Sequence, residues 1–142
     1  MAGLFRFRFP IEVRFRDLDA LGHVNNAAYL TYLESARLAY WQQATGRSGL
    51  PAFDMMLARA EIDYRAPISL GDPLEVGVRC ASMRRSSFVL EFEVVHRTSG
   101  RLLAEARKVL VHYDHQAGRS KELPLDLRER ILAQDPEATQ ES

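Results

Sequence analysis

The stretch from Ala27 to Ala44 constrains this fold most, because it is helical in period and apolar around most of its circumference. Tyr29, Leu30, Tyr32, Leu33, Ala36, Leu38, Ala39, Tyr40 and Trp41 leave few polar positions, and Gly46 supplies a stop. Such a helix is normally buried, not laid on one side of a flat sheet. The remainder of the chain must therefore curve around it, and it reads as strands. Residues 11–16 alternate apolar and polar ahead of the helix, and Ile62 to Ala66 alternates after it, before Pro67. Leu74, Val76, Val78 and Cys80 alternate with Glu75, Gly77, Arg79 and Ala81. Phe88, Leu90, Phe92 and Val94 alternate around Glu91 and Glu93, with Met83 to Ser87 as the hairpin connection. Leu102 to Lys108 is rich in helix formers, but Val109 to Tyr113 tips residues 102–113 toward strand. Residues 125–134 form a short terminal helix, and 135–142 form a frayed tail. Short turns make sequential strands antiparallel. The expected class is α+β, an antiparallel sheet of about five strands wrapped around one long central helix. Residues 1–142 form a single domain in this reading, with its core between about residues 9 and 125.

Charge and composition exclude several classes of function. Nineteen basic and 19 acidic residues give zero formal net charge, which argues against nucleic acid as a partner. The single cysteine, Cys80, excludes an internal disulfide and suits a reducing compartment. No apolar run approaches the roughly 18 residues that span a bilayer, so no membrane partner is expected. Met1 to Pro10 alternates Phe and Arg, unlike the continuous apolar core of a signal peptide. A cytoplasmic location follows as the expectation.

The segment Asp17-Leu18-Asp19-Ala20-Leu21-Gly22-His23-Val24-Asn25-Asn26 runs from the first strand to the helix start. Free backbone N–H groups at a helix start can polarise a carbonyl and stabilise the oxyanion formed when it is attacked. A carboxylate within reach is either a nucleophile on an acyl carbon or the base that activates water. Asp and Asn before a helix are also common caps, and a loop Gly is a common turn residue. Spacing alone favours capping.

The pattern Asp-x-Asp-x-x-Gly, followed by Asn26-x-x-Tyr29 and a buried helix, resembles the 4-hydroxybenzoyl-CoA thioesterase family of hotdog-fold enzymes. The resemblance spans about residues 9 to 125. It implies that Asp19 is the catalytic carboxylate, that the polarising N–H lies near Asn26, and that Gly22 and Tyr29 border the substrate. It also implies a site at a dimer interface, hence a homodimer or homotetramer. His23-Val24-Asn25-Asn26 is in turn similar to the His-Val-Asn-Asn of plant acyl-ACP thioesterases, which share catalytic work among an Asp, an Asn and a His. Those positions correspond here to Asp19, Leu21 and His23. Leu21 has no amide, so His23 enters as a residue that orients water or substrate, outside a complete triad. Glu34 falls where the family often places an acid facing the acyl pocket, and burial there would raise its pKa.

A second motif, Met83-Arg84-Arg85-Ser86-Ser87-Phe88, matches the family's hairpin that grips coenzyme A phosphates. Guanidinium groups and hydroxyls suit phosphate oxygens, although two Arg residues also suit a solvated hairpin tip. Tyr29, Tyr32, Phe53, Met55 and Met56 could line an acyl pocket or simply pack in the core. His96, His112 and His115 lack a metal-ligand spacing, and neither a Walker nor a dinucleotide fingerprint is present. The expected activity is hydrolysis of an acyl-CoA with no metal and no cofactor, coenzyme A being part of the substrate. The rival readings are a non-catalytic acyl-CoA-binding hotdog module and a hotdog dehydratase, whose His/Asp or His/Glu arrangement is not found.

Overall fold

A computed structural model describes residues 5–46 and 54–141. Phe53 lies outside the described residues. In chain order the elements are β1 (Phe7–Ile11), α1 (Asn26–Thr45), β2 (Met55–Tyr64), β3 (Leu74–Met83), β4 (Ser87–His96) and β5 (Leu102–Asp114), followed by β6 (Arg119–Ser120), α2 (Leu125–Gln134) and β7 (Thr139–Gln140).

The main path of the sheet runs β1-β3-β4-β5-β2, with every neighbouring pair antiparallel. Its concave face carries Val76, Val78 and Cys80 from β3, Phe88, Leu90 and Phe92 from β4, and Leu110 from β5, all 2% exposed or less. Register shifts at Leu57/Arg59, Cys80/Ser82 and Val94/Val95 insert bulges that bend strands and tighten twist, as a sheet that wraps a helix requires. This is the expected α+β wrap, with β6 and β7 added at its margins.

Helix α1 begins where the Asn25 side chain accepts the Ala27 N–H at 2.9 Å and stops at Gly46, whose φ of 70° is left-handed. Tyr29, Tyr32, Leu33, Ala36, Tyr40 and Trp41 face the core, and the Trp41 ring stacks on Phe88 at 5.7 Å. Burial is narrower than the sequence suggests. Leu30 is 41% exposed, and Thr31, Ser35 and Gln42 are open, so one flank of the helix is uncovered in a single chain.

Three boundaries differ from expectation. The first strand is Phe7–Ile11, not residues 11–16, because the Asp17 carboxylate accepts the Arg14 N–H at 2.9 Å and winds residues 15–17 into a 3-10 turn. Strand β2 starts earlier than expected, at Met55, and ends at Tyr64, three residues before Pro67. The tail expected to fray instead pairs Thr139 and Gln140 in parallel with Ser82 and Met83, continuing the edge of β3 that β1 begins. Asp135 fixes the approach to that strand. Its Oδ2 accepts the Tyr40 hydroxyl at 2.6 Å and the Cys80 N–H at 2.9 Å, all inside the core. Burial and the neighbouring Asp135 push the Cys80 thiol up to about 12, so it is an inert core group.

Candidate active site

The Asp17–Asn25 segment folds back on itself as a small ladder beside the start of α1. The Asn25 N–H donates to the Asp17 carbonyl at 2.7 Å, Leu18 bridges Val24, and the Asp19 N–H donates to the His23 carbonyl at 2.8 Å. The tip is Ala20-Leu21-Gly22. Gly22 has a φ of 81°, which an L side chain rarely adopts, and its N–H closes the turn on the Asp19 carbonyl at 3.1 Å. Gly22 is thus a turn residue, and the space beside its Cα is open.

Asp19 stands exposed on this ladder. Its Oδ1 accepts the N–H groups of Leu21 at 2.9 Å and His23 at 3.2 Å. Its Oδ2 takes no hydrogen bond among the described residues, so one oxygen orients the side chain and the other is unclaimed. At the helix start Asn25 caps the Ala27 N–H, whereas the Asn26 N–H has no partner among the described residues. The division is informative. Asn25 fulfils the capping role that spacing allowed for Asp19, and Asp19 is spared it.

His23 is exposed, and its backbone bridges Ser69. Asp17 is structural: its Oδ2 accepts both the Tyr32 hydroxyl at 2.7 Å and the Arg14 N–H. Tyr29 is 3% exposed, its ring packed edge-on against Tyr64 at 4.9 Å. The Tyr64 hydroxyl donates to the Asn26 carbonyl at 3.1 Å, tying the helix start to the end of β2. No sequence pattern flagged Tyr64; its place at the end of an alternating strand is the one available signal.

Glu34 differs most from expectation. Its Oε1 accepts from Lys108 Nζ at 2.6 Å, and the Arg37 guanidinium donates to both of its oxygens. Burial pushes this carboxyl up, but the hydrogen bonds from Arg37 and Lys108 outweigh burial and hold it at about 2. The expected raised pKa is therefore corrected, because its cationic partners lie on the helix and across on β5. His112 is buried, with Nδ1 at 3.1 Å from the Glu122 carbonyl, and burial lowers its pKa. His96 accepts the Ser99 N–H, and the His115 ring lies against Tyr113.

The Arg84–Ser87 hairpin is where the sequence put it, between β3 and β4. The Arg84 N–H closes it on the Ser87 carbonyl at 2.7 Å, and the Arg128 guanidinium binds the carbonyls of Arg84 and Arg85 from below. The Arg84 side chain is 65% exposed, with Glu141 at 3.5 Å. Within one chain this hairpin is far from Asp19. Ser87 lies opposite Val111 and Val111 opposite Met56, which puts the hairpin at the start of β2. The Asp19 loop sits at the other end, where His23 meets Ser69 and Tyr64 meets Asn26. Ten residues of strand separate the two ends, about 30 Å.

A long helix cupped by an antiparallel sheet is the architecture of hotdog-fold thioesterases, and the similarity to known proteins puts the chain among them. The chain belongs to the Thioesterase-like superfamily, whose model matches residues 13–131. It is 31% identical over 123 residues to the acyl-CoA thioester hydrolase YbgC of Escherichia coli O157:H7, covering 83% of this chain and 90% of that one. It is 28% identical to the long-chain acyl-CoA thioesterase FadM of Escherichia coli K12, covering 85% and 93%. Among solved structures it is similar to a thioesterase from Thermus thermophilus complexed with coenzyme A and Zn. That match has a TM-score of 0.83 and 43% identity over 91% of this chain and 93% of that one. No described helix is long and apolar enough to cross a membrane.

Proposed function

We propose that this chain hydrolyses an acyl-CoA thioester to a carboxylic acid and free coenzyme A, with Asp19 as the catalytic carboxylate. One observation carries the reading: Asp19 Oδ2 and the Asn26 N–H are both unclaimed on the same short loop and helix start. The Asn26 N–H, at the positive end of α1, polarises the thioester carbonyl and holds the developing oxyanion. Asp19 then acts in one of two ways. As a nucleophile it attacks the acyl carbon, the C–S bond breaks to release coenzyme A thiolate, and water cleaves the resulting anhydride. As a base it takes a proton from the water that attacks the same carbon. His23, exposed beside Asp19, orients water or the substrate. Hydrolysis in heavy-oxygen water under single turnover separates the two, since only the nucleophile leaves label in the Asp19 carboxylate. Thiol release from a panel of short-, medium- and long-chain and aromatic acyl-CoAs tests the activity itself. Tight binding of acyl-CoA without turnover would make the chain a non-catalytic binding module instead.

Coenzyme A phosphates are held, in this reading, by Arg84 and Arg85 with Ser86 and Ser87, and the site is composite. Strand β2 ends the sheet, and Met56, Leu57 and Tyr64 along it are 41%, 47% and 46% exposed. A long, partly apolar open edge is a template for pairing with a second strand. Antiparallel pairing of two β2 strands about a two-fold axis brings each hairpin toward the other chain's Asp19 loop, closing the separation of about 30 Å. A homodimer is the smallest assembly that satisfies this, and a lone buried cysteine suits the cytoplasm.

Two outcomes follow. Replacing Arg84 and Arg85 by Ala raises KM for an acyl-CoA about tenfold while kcat stays close to the parent's, because charge-assisted phosphate bonds are lost far from the reacting carbon. In light scattering the parent chain is expected to be a dimer or larger assembly at micromolar concentration. Met56→Lys with Leu57→Lys yields a monomer with little activity, since charges blunt the edge. A parent chain that is monomeric yet fully active would remove the composite site.

A further inference from the structure

We infer that Tyr32 is a positioning residue for the proposed hydrolysis, acting through Asp17 to hold the Asp19 loop in register with the start of α1. The inference rests on the proposed role of Asp19. Tyr32 is 4% exposed and sits six residues into the helix from Asn26, about 9 Å along the axis. Helical side chains lean toward the N-terminus, so its hydroxyl reaches back to the loop and donates to Asp17 Oδ2 at 2.7 Å. The same oxygen accepts the Arg14 N–H at 2.9 Å, and the Asp17 carbonyl accepts the N–H of Asn25, the helix cap. Asp17 is thus the root of the ladder that carries Asp19, fixed on three sides by the 3-10 turn, the cap and the body of the helix.

The two unclaimed groups depend on that root. Asp19 is oriented only by N–H groups of its own loop, those of Leu21 and His23, so nothing inside the loop fixes its distance from the Asn26 N–H. The Asn25–Asp17 bond sets that distance at the cap, and the Tyr32–Asp17 bond anchors it to the second turn of the helix. A carboxylate and an oxyanion donor must bracket one carbonyl carbon, and a displacement of about 1 Å costs on the order of a hundredfold in rate. A buried tyrosine whose hydroxyl makes this one hydrogen bond among the described residues is therefore a lever on kcat rather than on binding.

The test is Tyr32→Phe, which keeps the ring and removes the donor. Expected is a fall in kcat of about tenfold to a hundredfold with KM within about twofold of the parent. Adding Tyr32→Phe to Asp17→Ala should cost nothing further, because both remove the same link. Asp17→Asn, which keeps an oxygen for the Tyr32 hydroxyl and the Arg14 N–H, should retain most of the rate that Asp17→Ala loses. If Asp17→Ala does not fold, the kcat-against-KM split of Tyr32→Phe and the activity of Asp17→Asn decide the matter. A parental kcat in Tyr32→Phe overturns the inference, and so do losses from Tyr32→Phe and Asp17→Ala that multiply in full. If Asp19→Asn is inactive while Tyr32→Phe is unimpaired, only the positioning role falls. If Asp19→Asn keeps full activity, the proposed catalysis itself falls.

Discussion

Asp19→Asn is expected to lower turnover of an acyl-CoA by roughly 10²–10⁴-fold while leaving its binding and the fold nearly unchanged. The two halves of that expectation have separate physical grounds. The Asn side chain is isosteric and keeps an oxygen to accept the Leu21 and His23 N–H groups, so the loop retains its shape. Asp19 is exposed and contributes no core contact, so the thermal midpoint should move little. What disappears is the anionic oxygen, Oδ2, and with it either the attacking electron pair or the proton acceptor. Paired measurements decide: kcat from thiol release, and Kd for a non-hydrolysable acyl-CoA analogue from calorimetry. Parental kcat in this variant would end the case for Asp19. A lowered kcat accompanied by lost binding would point to a role in holding substrate instead.

The parts of this fold written in alternation and turn chemistry were legible in the residues themselves. The alternating pattern from Leu74 to Val94 marked two strands and their hairpin, and Gly46 marked the end of α1 where it falls. The candidate site was legible as a segment, because Asp19, Gly22 and Asn26 fall within one short stretch at fixed spacing. Its internal division of labour was not. That Asn25 rather than Asp19 caps the helix depends on a backbone turn which spacing does not encode. Links between residues distant in sequence were invisible for the same reason. Nothing local announces that Asp135 would receive Tyr40 and Cys80 in the core, or that the last residues would pair with β3. The distance between the Arg84 hairpin and the Asp19 loop was hidden too, since it follows from strand order.

Lys108 is the sharpest of these long-range effects, and it makes Glu34→Ala a destabilising change although Glu34 is itself half-exposed. Lys108 shares the inward face of β5 with Leu110 and His112; it is 1% exposed, and its Nζ rests on Glu34 at 2.6 Å. Removing Glu34 strands a buried ammonium over the Phe92 ring, 5.6 Å from Nζ. Leaving one member of a fully buried pair alone costs about 3–5 kcal/mol; Glu34 is 42% exposed, so water screens part of this pair and the cost falls below that range. The reverse deletion differs in kind. Lys108→Met leaves Glu34 bonded to Arg37 and 42% exposed, so its cost should be at most about 1 kcal/mol. Glu34→Ala combined with Lys108→Met should recover much of the stability that Glu34→Ala loses, because the stranded charge is gone. Denaturant unfolding of the three variants measures this, and equal losses for the two single changes would refute the asymmetry. The pH dependence has a definite sign. Glu34 titrates at about 2 in the folded chain against an ordinary 4.5, so its contribution is complete above about 4.5. It is lost as pH falls from there through about 2, and Glu34→Gln should flatten the stability profile across that window.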